Sequence, residues 1–262
     1  MHRTLALATI AAICGIGSAA SAGILAVETF NTDGPASDYV GTGKTFSNSL
    51  GLEDQAGVQD GVLIFGYTAN EGASTSGYMS MNLGSEVPLL SFQVDITPVS
   101  YFAGGFRFAA SHSPDVDWIR WNPLDRAFLH FYVDQNGISI QGASAQSFSM
   151  NENHRVTVFA NNSGEQQTYT GPDGLAYSLD DRSWSIFDGT TLLGQNIPAG
   201  LSENINYVGF GANRNWPGAQ SITHLDNLVV ADDLSVVVPE PASIMLVGMV
   251  GGVLIGSRRR VA

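Results

Sequence analysis

Short apolar runs recur along this chain at strand length, and almost every one is closed by a cluster of Gly, Asn, Asp or Pro. Gly61 to Tyr67 is one such run, and Leu89 to Ile96 is another. In the second, apolar and polar residues alternate from Leu90 onward, which predicts a strand with one buried and one wet face. Phe128 to Val133, the connector Asp134-Gln135-Asn136-Gly137 and Ile138 to Ile140 read as a hairpin, with Asn136-Gly137 expected to supply the positive φ values of a tight turn. Arg155 to Phe159 alternates again. Ser183 to Phe187 leads through an Asp188-Gly189 turn to Leu192-Leu193, and Val208 to Gly211 and Ile222 to Val230 close the series. Few segments carry a helical period. Strands separated by turns, without intervening helices, predict an all-β fold, an antiparallel β-sandwich.

Composition excludes several functions. The 262 residues are 44% hydrophobic and 13% charged, with 11 Lys and Arg against 24 Asp and Glu, a net charge of −13. Nucleic-acid binding rests on basic side chains that release counterions from phosphates, so no nucleic-acid partner is expected. A single cysteine rules out a disulfide framework and a thiolate zinc site.

The two ends read as export signals. Met1-His2-Arg3, the apolar run Leu5 to Ile16 and the small-residue stretch ending Ala20-Ser21-Ala22 form a three-part signal peptide over residues 1–22, cleaved after Ala22. The Sec translocon and a signal peptidase follow as partners. Cys14 leaves with the leader, so the mature chain has no cysteine. At the other end Pro239-Glu240-Pro241 precedes an uncharged run from Ala242 to Gly256, and Arg258-Arg259-Arg260 follows. As a helix this run is about 22 Å long, slightly short for a bilayer without help from its flanks. Three arginines at its end would stay cytoplasmic and leave the preceding domain outside.

This order of motif, span and basic tail resembles the PEP-CTERM sorting signal of exopolysaccharide-producing Gram-negative bacteria, over residues 238–262. The resemblance implies recognition by an exosortase, a membrane-embedded processing protease, near the Pro239-Glu240-Pro241 triplet. The transmembrane sorting helix would then be a transit device, anchoring the chain in the inner membrane until processing sends it to the cell envelope, the surface or the medium. In this setting Asn161-Asn162-Ser163 is read as a turn.

Residues 23–237 form the expected sandwich domain, with 23 acidic and 7 basic residues, a net −16. The opening Val27-Glu28-Thr29-Phe30-Asn31, the Trp184-Ser185-Ile186-Phe187-Asp188-Gly189 hairpin and the closing Leu225-Asp226-Asn227-Leu228-Val229-Val230 resemble a concanavalin-A-like or laminin-G-like jelly roll. Such modules often hold a structural calcium between their first and last strands. The resemblance places Glu28 and Asp226 there, against the plainer reading of a strand-edge glutamate and an Asx turn. Two carboxylates fall short of the 6–8 oxygens calcium takes.

No catalytic motif is present. His112, His130, His154 and His224 are scattered, and no His-Glu-x-x-His or Gly-x-Ser-x-Gly occurs. Asp115-Val116-Asp117 could share a strand face, whereas Asp180-Asp181 would point to opposite faces. The aromatic candidates are Trp118 and Trp121, and Trp216 within Asn213-Arg214-Asn215-Trp216. Their indoles can stack on sugars while Asn213 and Asn215 hydrogen-bond hydroxyls, or they can plug the core. Trp184, alternating with Ile186, reads as core. The expectation is a non-enzymatic, exosortase-sorted envelope or extracellular-matrix protein, associated with exopolysaccharide or biofilm. Its sandwich is structural or interactive; the alternatives are a carbohydrate-binding module and a jelly-roll polysaccharide hydrolase or lyase.

Overall fold

The computed structural model describes residues 23–50, 56–66, 77–102, 104–113, 127–141, 146, 148–201, 203–214 and 220–234. The signal peptide, the sorting motif and the arginine tail lie outside these residues. Among the described residues no helix is long and apolar enough to cross a membrane.

Two antiparallel sheets make the fold. The larger has nine strands, with β1 (Ile24–Glu28), β2 (Gly34–Pro35), β4 (Ala56–Gln59), β5 (Val62–Gly66) and β7 (Leu89–Phe102) from the first half of the chain. The second half adds β11 (His154–Asn161), β14 (Ser183–Asp188), β15 (Thr191–Pro198) and β17 (Gln220–Ala231). Their order is β15-β14-β11-β7-β17-β5-β4-β2, and β1 also pairs with β17. The smaller sheet has six strands. They are β3 (Asn48–Leu50), β6 (Gly77–Val87), β8 (Gly104–Ser111), β9 (Leu129–Asp134), β10 (Gly137–Ile140) and β16 (Ile205–Arg214). Their order is β10-β9-β8-β16-β6-β3. A separate hairpin joins β12 (Gln167–Thr170) to β13 (Ala176–Leu179). The first and last strands pair, with Val27 opposite Val229.

Alternation along each strand sends one set of side chains between the sheets. From the nine-stranded sheet come Phe65, Phe92, Val94, Val158, Trp184 and Ile186; from the six-stranded sheet come Met79, Phe106, Phe108, Phe131 and Phe210. Phe92 stacks on Phe108 across the interface at 4.1 Å between centroids, and Phe108 in turn stacks on Phe131 at 5.3 Å and Phe210 at 5.7 Å. Trp184 is fully buried, as its alternation predicts. Among the described residues the buried apolar side chains run from Phe30 to Leu234.

Three local expectations need correction. The strand from Leu89 is not wet on its second face: Ser91 is fully buried and Asp95 nearly so. The β12–β13 hairpin helps cover that outer side, where Tyr169 and Leu179 pack with Phe159 and Phe187. In the Asp134–Gly137 turn only Gly137 has a positive φ, at 118°. The Asp134 carboxylate accepts the Asn136 amide at 2.7 Å and sets the turn without αL geometry at Asn136. Asp180 and Asp181 fall between β13 and β14 and not on a strand, where they accept from Gln166 and from the Gly164 amide. The Asn161-Asn162-Ser163 turn is as read: Asn161 is buried and its Oδ1 accepts from the Ser163 amide at 3.0 Å.

Candidate functional site

The outer face of the six-stranded sheet gathers the groups best suited to a ligand. With Phe106, Phe108 and Ala110 turned inward, β8 presents Gly105, Arg107, Ala109 and Ser111 outward. Strand register then fixes rows across the face. One row runs Tyr78, Gly211, Arg107, Tyr132, Ser139. The next runs Ser80, Gly209, Ala109, His130. A third holds Asn82, Tyr207 and Ser111. Small residues form the floor and tyrosines stand on it.

The glycines are required by those tyrosines. A Cβ on Gly211 would lie 2.4 Å from Cδ1 of Tyr78 and 2.2 Å from the Gly77 carbonyl oxygen. A Cβ on Gly105 would lie 2.5 Å from both Cζ and the hydroxyl of Tyr132. Each tyrosine therefore packs against a backbone that only glycine leaves open. Tyr78 and Ala109 are fully buried here, packed with Ala127 and beside the half-buried Tyr207. The Arg107 guanidinium carbon lies 5.3 Å from the Tyr132 ring centroid, a cation–π contact.

His130 completes this face. It is half-buried as a residue, but its Nε2 is sealed from solvent and has no hydrogen-bond partner among the described residues. Burial, helped by the nearby Arg107 charge, pushes its pKa down to about 3. The ring is therefore neutral, with one donor and one acceptor nitrogen. Ser80 Oγ and Gln141 Oε1 are likewise sealed and without a partner among the described residues. At the margin His112 Nδ1 pairs with Glu203 at 2.5 Å.

Of the residues singled out for glycan contact, Trp118, Trp121, Asn215 and Trp216 lie outside the described residues. Only the backbone of Asn213 is described, opposite Gly105. The segments that carry the tryptophans leave the sheet at different ends. Residues 114–126 connect Ser113 to Ala127, beyond the Ser111 end of β8, whereas 215–219 follow Arg214, which pairs with Gly104 at its other end. The eight residues of β8 separate those anchors by about 24 Å at 3.4 Å per residue.

The calcium pair is also divided in its partners. Glu28 accepts from the Phe30 amide at 3.0 Å and from the Thr45 hydroxyl at 2.6 Å. This fixes the turn after β1, where Phe30 has a φ of 48°. Asp226 accepts from the Asn227 amide at 2.7 Å, and the Asn227 side chain also reaches Asp95 at 2.9 Å. Burial raises the Asp226 carboxyl from its ordinary value, opposed by the Asn227 amide and reinforced by the Asp95 charge. Asp95 itself is held by Arg155 through Nε at 2.8 Å and Nη2 at 3.1 Å. Among the described residues no three His, Asp or Glu side chains converge as a metal set.

Sequence reasoning missed Tyr78, Arg107, Tyr132 and Tyr207. A signal was available, because Tyr132 alternates with Phe131 and Val133, and Gly209 and Gly211 alternate with Val208 and Phe210. Glycines on the second face of an apolar strand mark a close approach on that face.

No family model matches the chain, and no curated protein matches it significantly. Among solved structures it is similar to the Emp47p carbohydrate recognition domain, with TM-score 0.51 and 13% identity over 83% of this chain and 100% of that one. LamAcat from Zobellia galactanivorans superposes with TM-score 0.49 and 11% identity over 79% of this chain and 97% of that one. At 13% identity the first likeness speaks for the fold alone, an antiparallel jelly-roll sandwich.

Proposed function

We propose that this chain is an exported, non-enzymatic glycan-binding protein of the cell envelope or extracellular matrix, with the outer face of its six-stranded sheet as the ligand surface. The observation that carries this reading is the row of Tyr132, Arg107 and Gly211 beside Tyr207, aromatic and cationic groups in register over a floor of small residues. Tyrosine rings offer sugars an apolar face and a hydroxyl together, and Arg107 offers fixed donors. Beneath them the neutral His130 is part of the packed floor, its Nε2 sealed from solvent. The Emp47p domain, named for carbohydrate recognition, is built on the same kind of sandwich.

Export and sorting complete the proposal. The leader over 1–22 takes the chain through the Sec translocon, and the Pro239-Glu240-Pro241 signal delivers it to an exosortase. An extracellular polysaccharide is then the ligand within reach. Calcium bound near Glu28 or Asp226 is a separate proposal, supported only by the jelly-roll resemblance.

The test is glycan binding by residues 23–237, measured by calorimetry against a panel of neutral and acidic polysaccharides with and without calcium. Tyr132→Ala and Tyr207→Ala should each weaken binding about fivefold or more, since ring stacking contributes about 1–3 kcal/mol. Trp184→Ala serves as the core control and should lower stability without a selective effect on binding. Folded outer-face variants that bind every glycan as the parent does would refute the assignment.

A further inference from the structure

The residue before β1 meets the residue after β17. Gly23 precedes β1, and Asp232 follows β17 directly. The Gly23 backbone nitrogen donates to Asp232 Oδ1 at 2.9 Å, and the Asp232 amide returns a bond to the Gly23 carbonyl at 3.2 Å. Ile24 opposite Ala231 then starts the β1–β17 ladder. The missing side chain at Gly23 leaves room for the Asp232 carboxylate. A Cβ on residue 23 would lie 2.7 Å from Oδ1 and 2.8 Å from Oδ2 of Asp232, so both carboxylate oxygens face the start of the domain.

Gly23 is also the residue that cleavage after Ala22 would expose, a step that rests on the leader reading above. In the precursor its nitrogen is a neutral amide with one hydrogen. Hydrolysis of the Ala22–Gly23 bond adds one water across it, leaving a carboxylate on Ala22 and an ammonium on Gly23. We propose that leader removal thereby builds an ion pair: the new Gly23 ammonium is held by the Asp232 carboxylate and latches β1 to the end of β17.

The latch acts where the fold needs it. Among the described residues β1 is paired only with β17, and Ile24, Leu25 and Val27 are exposed, so little core burial holds this strand. A charge-assisted bond is stronger than the neutral amide bond it replaces. The site is at the surface, so the gain is that of an exposed pair and falls with added salt. Processing would thus tighten the first strand only after export.

The experiment is a four-protein cycle on residues 23–237. One form begins at Gly23 and one carries Ser21-Ala22 ahead of it, each with Asp232 or with Asp232→Asn. With Asp232 present, the Gly23 form should melt about 1–3 °C higher. Its Ala26 to Glu28 amides should exchange about two- to fivefold more slowly, because local opening of β1 is read directly there. In Asp232→Asn both differences should vanish, and Gly23→Ala should behave likewise because its methyl displaces the carboxylate. N-terminal sequencing of the exported full chain should begin at Gly23. A different N-terminus overturns the proposal at the leader, and equal differences with Asp232 and with Asn overturn it at the ion pair.

Discussion

His130 ties the candidate surface to a stability that depends on pH. An unperturbed histidine titrates near 6.5, and here burial and Arg107 push the ring down to about 3. The unfolded chain therefore binds a proton at this residue over a range where the folded chain does not. Between these two values stability falls as pH falls, by up to about 1.4 kcal/mol per pH unit from this group. It is fully present above pH 6.5 and lost progressively toward pH 3. From pH 6.5 to 4.5 the ideal loss is about 2.3 kcal/mol, since the unfolded histidine is already half-protonated at 6.5, and partial exposure of the residue lowers the expectation to about 1–2 kcal/mol. Urea unfolding of residues 23–237 at pH 7, 6, 5 and 4.5 measures the slope. His130→Gln keeps a polar side chain without the titration, so its curve should be flatter by this amount, while every other group cancels in the difference. A ring proton titrating near 6.5 in the folded protein by NMR, or the same slope in the variant, refutes the reasoning.

Two further outcomes test the packing. Phe108→Ala removes the ring on which Phe92, Phe131 and Phe210 all stack, and denaturant unfolding should show a loss of about 3–5 kcal/mol. Gly211→Ala drives a methyl into the Tyr78 ring and the Gly77 carbonyl, so it should lower the melting temperature by the equivalent of about 1–3 kcal/mol. It should also weaken glycan binding if Tyr78 helps shape the surface.

The strand framework was legible because its signals are local. Ser183 to Phe187 reads as a strand closed by Asp188-Gly189, and the structure forms β14 there with Gly189 at a φ of 54°. The same locality hid the second face of each strand. The polar residues of the Leu89 strand read as wet, yet Ser91 is buried. The hairpin that helps roof that side starts at Gln167, far along the chain, and no pattern within the strand reports it. The bulge in β17 shows the same limit. Asp226 reads as a calcium ligand or an Asx turn, whereas in the structure Asn227 takes a φ of 50° and lets both Leu225 and Leu228 face the core.

The candidate surface was illegible for a related reason. It is assembled from β6, β8, β9 and β16, whose order in space follows neither their order nor their spacing in sequence. A site on a sheet is defined by register. Tyr78 and Arg107 become neighbours through Gly211, which lies 104 residues beyond Arg107 in the chain. Register also bears on the ligand. The domain carries a net −16, and free polyanions are repelled within a Debye length of about 8 Å at physiological salt. On the proposed surface Arg107 is the one arginine within the rows set by register, and it is engaged over Tyr132. Stacking on tyrosines needs no charge on the sugar. The proposed ligand is accordingly a neutral glycan, or an acidic one bridged by calcium. A panel in which an acidic polysaccharide binds most tightly without any divalent cation would overturn that choice.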